Sequence, residues 1–140
     1  MKEPGLFYKI ELMRKVMKDE YFIAVAGCRN FYDYDTVKNY LDYVLQNLEK
    51  QGNITILHGA CPTGVDQLAG RYSREKRYKC IEFPADWSLG NIGAFHRNSA
   101  MVAKSTHIVA FWDGISKGTK MTIDLAKRAK KPLKIKIISI

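Results

Sequence analysis

The residues best suited to chemistry in this chain lie in four short segments, each placed just after a run of β-branched or apolar residues. The first, Gly27-Cys28-Arg29-Asn30-Phe31, offers a glycine for close backbone approach, an arginine able to grip phosphate or carboxylate bidentately, and a ring for stacking. The second is His58-Gly59-Ala60-Cys61-Pro62-Thr63-Gly64-Val65-Asp66. The third, Phe83-Pro84-Ala85-Asp86-Trp87, opens a long connection that continues through Gly90 to Ala94 and reaches Arg97-Asn98. The fourth, Trp112-Asp113-Gly114-Ile115-Ser116-Lys117-Gly118-Thr119, sets two glycines, a lysine and two hydroxyls at the opening of a helix. That combination suits a phosphate, because backbone N–H groups at a helix start are free and the dipole end is positive.

Several familiar chemistries fail on detail. No G-x-G-x-x-G is present, which disfavours an ordinary nicotinamide or flavin dehydrogenase. The G-x-x-x-x-G of Gly59 to Gly64 is followed by Val65 and Asp66 where a Walker A loop needs Lys and Ser or Thr. Gly114 to Gly118 spells G-x-S-x-G, yet no histidine follows His107 to complete a hydrolase triad. Thr63 with Asp66 fits a capping box as well as it fits contact with a ligand hydroxyl. Trp87 has core burial as its plain alternative. Arg97, placed by this reading at a helix start where a cation opposes the dipole, has a salt bridge. Cys28, Cys61 and Cys80 lack metal-ligand or disulfide spacing, so free thiols and no metal or cofactor are expected, although Cys28, His58 and Cys61 fall at the ends of two strands.

Strands are predicted at Phe22 to Ala26, Ile54 to His58, Cys80 to Phe83, His107 to Phe111 and Leu133 to Ile138. Helical spacing joins Val37, Leu41, Val44, Leu45 and Leu48, then Val65, Leu68, Ala69 and Tyr72. A shorter helix is predicted around Arg97 to Ala103, and another from Thr119 to Ala129. Alternating strands and helices imply an α/β fold: a Rossmann-like, three-layer arrangement around a five-stranded, mainly parallel sheet. Ligands of such sheets bind beyond the carboxyl ends of the strands, where the four segments lie. Residues 1–20 form an extension with an amphipathic helix, carrying Leu6, Phe7, Ile10, Met13 and Met17 on one face to cover the sheet or a neighbouring subunit; residues 21–140 form the single domain.

With 140 residues, 46% of them apolar and 26% charged, the chain suits one ordinary globular domain. Its longest apolar run, Tyr21 to Cys28, is too short to span a membrane, and a cytoplasmic location is expected. The formal charge of +9 invites an anionic partner. Residues 1–20, 21–116 and 117–140 contribute +1, +1 and +7, so the excess sits in the last helix and strand. Lys127, Arg128, Lys130 and Lys131 there complement a helix C-terminus, and Lys134 and Lys136 protect an edge strand.

In order along the chain, the first two segments, Phe83 to Trp87, Arg97-Asn98-x-x-Met101 and Ala110 to Thr119 together resemble the YspA/YpsA-related SLOG family over about residues 21–138. The resemblance implies a Rossmann-like fold, related to the Lonely-guy phosphoribohydrolases and the DNA-processing protein A family, and a homodimer. It also implies binding or sensing of a nucleotide-derived ligand such as NAD or ADP-ribose. The implied pocket comprises Gly27, Arg29, Gly59, Gly64, Asp66, Arg97, Asn98, Gly114, Gly118 and Thr119, to which the loop chemistry adds Trp87 and Lys117. Two departures matter. Gly90 to Phe95 lacks the family's lysine, and Thr122 stands where the Lonely-guy enzymes carry a catalytic glutamate. An N-glycoside hydrolase is therefore the alternative to ligand binding, with Arg97, Asp66 and Asp113 as catalytic candidates, and single-stranded nucleic-acid binding is a second alternative.

Overall fold

The computed structural model describes residues 5–16 and 19–140. Strands β1 (Asp19–Gly27), β2 (Gly52–His58), β3 (Lys79–Glu82), β4 (His107–Trp112) and β5 (Leu133–Ile137) form one sheet in the order β3-β2-β1-β4-β5. Every pairing is parallel. Helices α2 (Tyr34–Gln51), α3 (Gly64–Lys76), α4 (Asn91–Lys104) and α5 (Lys117–Arg128) cover its two faces, with a 3-10 turn at Trp87–Leu89, and α1 (Leu6–Val16) precedes β1. The predicted Rossmann-like sheet is thus present. Its crossovers first build outward from β1 to β3, then return to β4 on the other side of β1, which leaves a crevice between the carboxyl ends of β1 and β4.

Side-chain alternation along the central strands divides the core between two faces. Ile23 and Val25 of β1 pack with Val37, Leu41 and Leu45 of α2 and with Val65, Leu68 and Tyr72 of α3. Ala24, Leu57 and Ile108 pack on the opposite face with Met101 and Val102 of α4 and Ala126 of α5. Helix α2 starts three residues before its first periodic apolar residue because the Asp33 carboxylate accepts from the Thr36 amide at 3.2 Å.

Helix α4 is twice the predicted length. Its start is set by two glycines: Gly90, at φ +59, turns the chain into the helix, and Gly93 packs so closely on the Asp86 carbonyl that a Cβ would collide with it. At the other end, Lys131 Nζ donates to the carbonyls of Val102, Ala103 and Ser105 at 2.8, 2.8 and 2.6 Å. One of the late lysines thereby satisfies the helix's orphan acceptors from a distant part of the chain.

Helix α1 has two expected partners, the sheet and a neighbouring subunit. Leu6, Phe7 and Met13 are 76%, 78% and 56% exposed, so this face does not cover the sheet. Met17 lies outside the described residues. Among the described residues, no helix is long and apolar enough to cross a membrane.

Candidate functional site

The loops after β1, β2 and β3 and the start of α5 enclose a cleft of about 600 Å³ at the β1–β4 crevice. Of the residues singled out from sequence, it gathers Gly27, Arg29, Gly59, Asp66, Trp87, Arg97, Asn98, Lys117, Gly118 and Thr119. Gly64, Gly114 and Asp113 are not part of its lining.

Each of those three has a structural task. Gly64 lies at φ +69, and a Cβ there would run into the Cys28 and Arg29 backbone; the adjacent Val65 amide donates to the Cys28 carbonyl at 3.1 Å. Gly64 therefore stitches the first loop to the second, and its neighbour's N–H is spent on the fold. Gly114, at φ +82, shapes the turn after β4. Asp113 organises that turn, accepting from the Ile115 and Ser116 amides at 2.9 and 2.8 Å and from the Ser116 hydroxyl at 3.0 Å. These hydrogen bonds, Ser116's first, hold its carboxyl below the usual range.

The start of α5 is the part of the cleft best suited to an anion. Ser116 precedes the helix but makes no side-chain cap, since its hydroxyl is turned to Asp113 and lies 3.3 Å from Cys28 Sγ. The first turn holds no acidic residue. Lys117, Gly118 and Thr119 line the cleft, and their amides, in the first turn, have no intrahelical partner and no carboxylate from that turn to answer them.

Arg97 forms the opposite wall. With α4 starting at Asn91, Arg97 sits well inside the helix and not at its start, so the expected conflict with the dipole does not arise. Its guanidinium donates to the Gly59 carbonyl at 2.5 Å and to Asn98 Oδ1 at 2.6 Å, and Asn98 in turn donates to Met121 Sδ at 3.3 Å. A Cβ at Gly59 would displace the ends of both Arg97 and Asp66, so the glycine leaves room for the two side chains to meet the loop. Burial lowers the Arg97 pKa, with Asp66 opposing that shift and Arg29 adding to it.

Asp66 does not close a capping box with Thr63, whose side chain makes no cap. Its carboxylate instead accepts from the Cys61 amide at 3.2 Å, two residues ahead of the position a box requires. Burial pushes its pKa up, against the Cys61 N–H, His58 and Arg97. At the rim, Trp87 is 55% exposed and not a core residue, and the Arg29 guanidinium lies 5.1 Å from the centre of its ring.

Met121 escaped the sequence reading, and Met101 and Thr122, named there only within the family motif and as the replacement of a glutamate, also line the cleft. Helical spacing could have found them, because Met101 follows Arg97, Met121 follows Lys117 and Thr122 follows Gly118 by one turn each. His58, 4% exposed, also acts from behind the cleft: its Nδ1 accepts from the Ala60 amide at 3.0 Å and holds that residue at φ +61. Accepting at Nδ1 places the proton of the neutral ring on Nε2, 3.8 Å from Glu82. Among the described residues, no group of three or more His, Cys, Asp or Glu side chains could hold a metal.

Burial keeps His58 neutral and its pKa below 6.5, with Asp66 and Glu82 opposing this shift. Below pH 6.5 the unfolded chain therefore takes up a proton that the folded one refuses. The corresponding stability is complete above that pH and is lost as the pH falls toward the folded value. Asp66 acts in the opposite sense between 3.8 and its own raised value. The melting temperature is expected to drop between pH 7 and pH 5, and to drop less in His58→Asn, whose amide oxygen can still accept from Ala60; identical pH profiles would contradict this role.

A cationic cleft at the switch point of a five-stranded parallel sheet defines a Rossmann-like α/β domain with an anion-suited site. The model of the YspA, cpYpsA-related SLOG family matches residues 22–90 of the chain. Two structures of the molybdenum cofactor carrier protein from Chlamydomonas reinhardtii share the fold. They are 20% and 21% identical, with TM-scores of 0.57 and 0.59, and each match covers 84% of this chain and 76% of the other. No curated protein matches the chain.

Proposed function

We propose that the cleft binds a small, phosphate-bearing ligand derived from a nucleotide, of the ADP-ribose type, and that residues 21–140 are the binding unit. The observation that carries this reading is the open N-terminus of α5, set in one cleft with Arg29, Arg97 and Lys117 against a single carboxylate, Asp66. A volume of about 600 Å³ lies within the range of small-ligand sites. Phosphate oxygens would accept from the Gly118 and Thr119 amides, with Lys117 and the two arginines adding charge. Trp87 offers an exposed aromatic face at the rim. The shared fold of a molybdenum cofactor carrier supports a role in holding a ligand. The free thiols of Cys28, Cys61 and Cys80 suit a reducing cytoplasm.

Binding is favoured over hydrolysis by Thr122. It lines the cleft where the enzymes' glutamate would stand, and its hydroxyl donates back to the Gly118 carbonyl at 3.5 Å. A developing oxocarbenium ion would find no carboxylate at that position. Thermal denaturation with AMP, ADP, ADP-ribose and NAD tests the proposal. At 100 times Kd a ligand stabilises the fold by about 2.7 kcal/mol, which is several degrees for a domain of this size. No shift with any of the four at millimolar concentration would overturn it.

A further inference from the structure

Beside the cleft, sharing Lys117 and Met121 with it, lies a second depression of about 300 Å³. One stripe of α5 forms its base, running from Lys117 through Lys120, Met121 and Leu125 to Arg128 at helical intervals of three and four. Phe95 of α4, 44% exposed, forms the facing wall. The floor is apolar and the rim cationic. Asp124 also lies there, but its carboxylate accepts from Lys120 Nζ at 2.8 Å, so it balances one cation and leaves Lys117 and Arg128 in excess.

Helix energetics account for Arg128, in the last turn of α5, but not for the charge at the other end of the stripe. Lys117 and Lys120 occupy the first turn of α5, where the macrodipole disfavours cations, and the carboxylate one turn on, Asp124, answers Lys120. An anion lying along the stripe would compensate Lys117 and Arg128. From Lys117 to Arg128 the stripe rises about 16 Å at 1.5 Å per residue, which is longer than one phosphate-bearing unit needs.

We propose that this groove is a second subsite of the same site, taking a further phosphate-bearing unit of the ligand, so that the full ligand is a dinucleotide-sized anion. The proposal rests on the reading that the first phosphate lies at the start of α5. The second phosphate passes Lys120 toward Arg128, and Phe95 offers its ring to the second base.

Calorimetry on the full chain with AMP and with the 5′-phosphorylated dinucleotide pApA tests it, in the natural protein and in Arg128→Gln. Arg128 is an exposed residue of the last turn and is outside the cleft lining. The dinucleotide is expected to bind at least about tenfold more tightly than AMP, the worth of one added charge-assisted contact. In Arg128→Gln that advantage falls severalfold, while AMP affinity stays within about twofold of the natural protein's. Equal affinities for the two ligands, or an advantage untouched by the substitution, would overturn the second subsite and leave the cleft reading standing. Binding of neither would overturn the second subsite, and, joined to a fold unmoved by ADP, ADP-ribose and NAD, the cleft reading as well.

Discussion

Replacing Gly118 with leucine is expected to leave the domain at least as stable as before and to abolish its response to ligand. A Cβ at Gly118 meets nothing within 4 Å, and its backbone is not in the left-handed region, so the fold has no need of a glycine there. Within a helix, leucine is favoured over glycine by about 0.5–1 kcal/mol. Yet Gly118 lines the cleft, and a leucine side chain would project over the amides at the start of α5. Stability and binding should therefore move in opposite directions, which is the mark of a glycine kept for ligand approach. Gly64 provides the contrast: with φ at +69 and the Cys28 carbonyl in the way, its replacement by alanine should destabilise the fold. Melting curves of Gly118→Leu with and without ADP-ribose decide the matter, and a ligand-induced shift equal to that of the natural protein would contradict the assignment.

The second large effect is expected at Arg97. Methionine at this position keeps the apolar stem but removes both donors to Gly59 and Asn98 and the positive charge beside Asp66. Charge-assisted hydrogen bonds are worth about 1.5–3 kcal/mol each, and part of that loss would be offset by water entering the open cleft. We expect a stability loss of about 2 kcal/mol, read from urea denaturation. Ligand affinity should fall by about a hundredfold or more, because the phosphate loses a guanidinium and the Asp66 carboxylate loses its counter-charge. Arg97→Lys should rescue little, since its shorter side chain carries one nitrogen in place of the planar fork whose separate nitrogens reach Asn98 and Gly59. Binding within about threefold of the natural protein in Arg97→Met would remove Arg97 from the site.

The parallel sheet was legible because its strands are short β-branched runs separated by helices with clear three-and-four spacing, as in Val37, Leu41 and Leu45. The loops of the cleft were legible because glycines and cations follow those strands directly. Less visible was the start of α4, where Gly90 and Gly93 read as loop residues although they set the helix's entry and its contact with Asp86. That shift of almost two turns also changed the meaning of Arg97. The Thr63–Asp66 pair had the spacing of a capping box, but the tighter second loop brings the Cys61 amide to the carboxylate first. His58 carried no local signal, since its effect on Ala60 depends on burial.

Charge gives the same lesson at larger scale. Lys131 has a structural use at the end of α4, and Lys134 and Lys136 lie on the edge strand β5, as their sequence pattern implies. Arg128 reads from sequence as another cation at a helix C-terminus, but its side chain borders the groove beside the cleft.

The claim on which the rest depends is that a phosphate-bearing ligand meets the start of α5. Titrating ADP-ribose into isotope-labelled protein while following backbone amide resonances tests it directly. The largest changes are predicted at Lys117, Gly118 and Thr119, with smaller ones at Gly59 to Cys61. Saturating changes confined to other parts of the chain, or a spectrum unmoved at millimolar ADP-ribose, would contradict it.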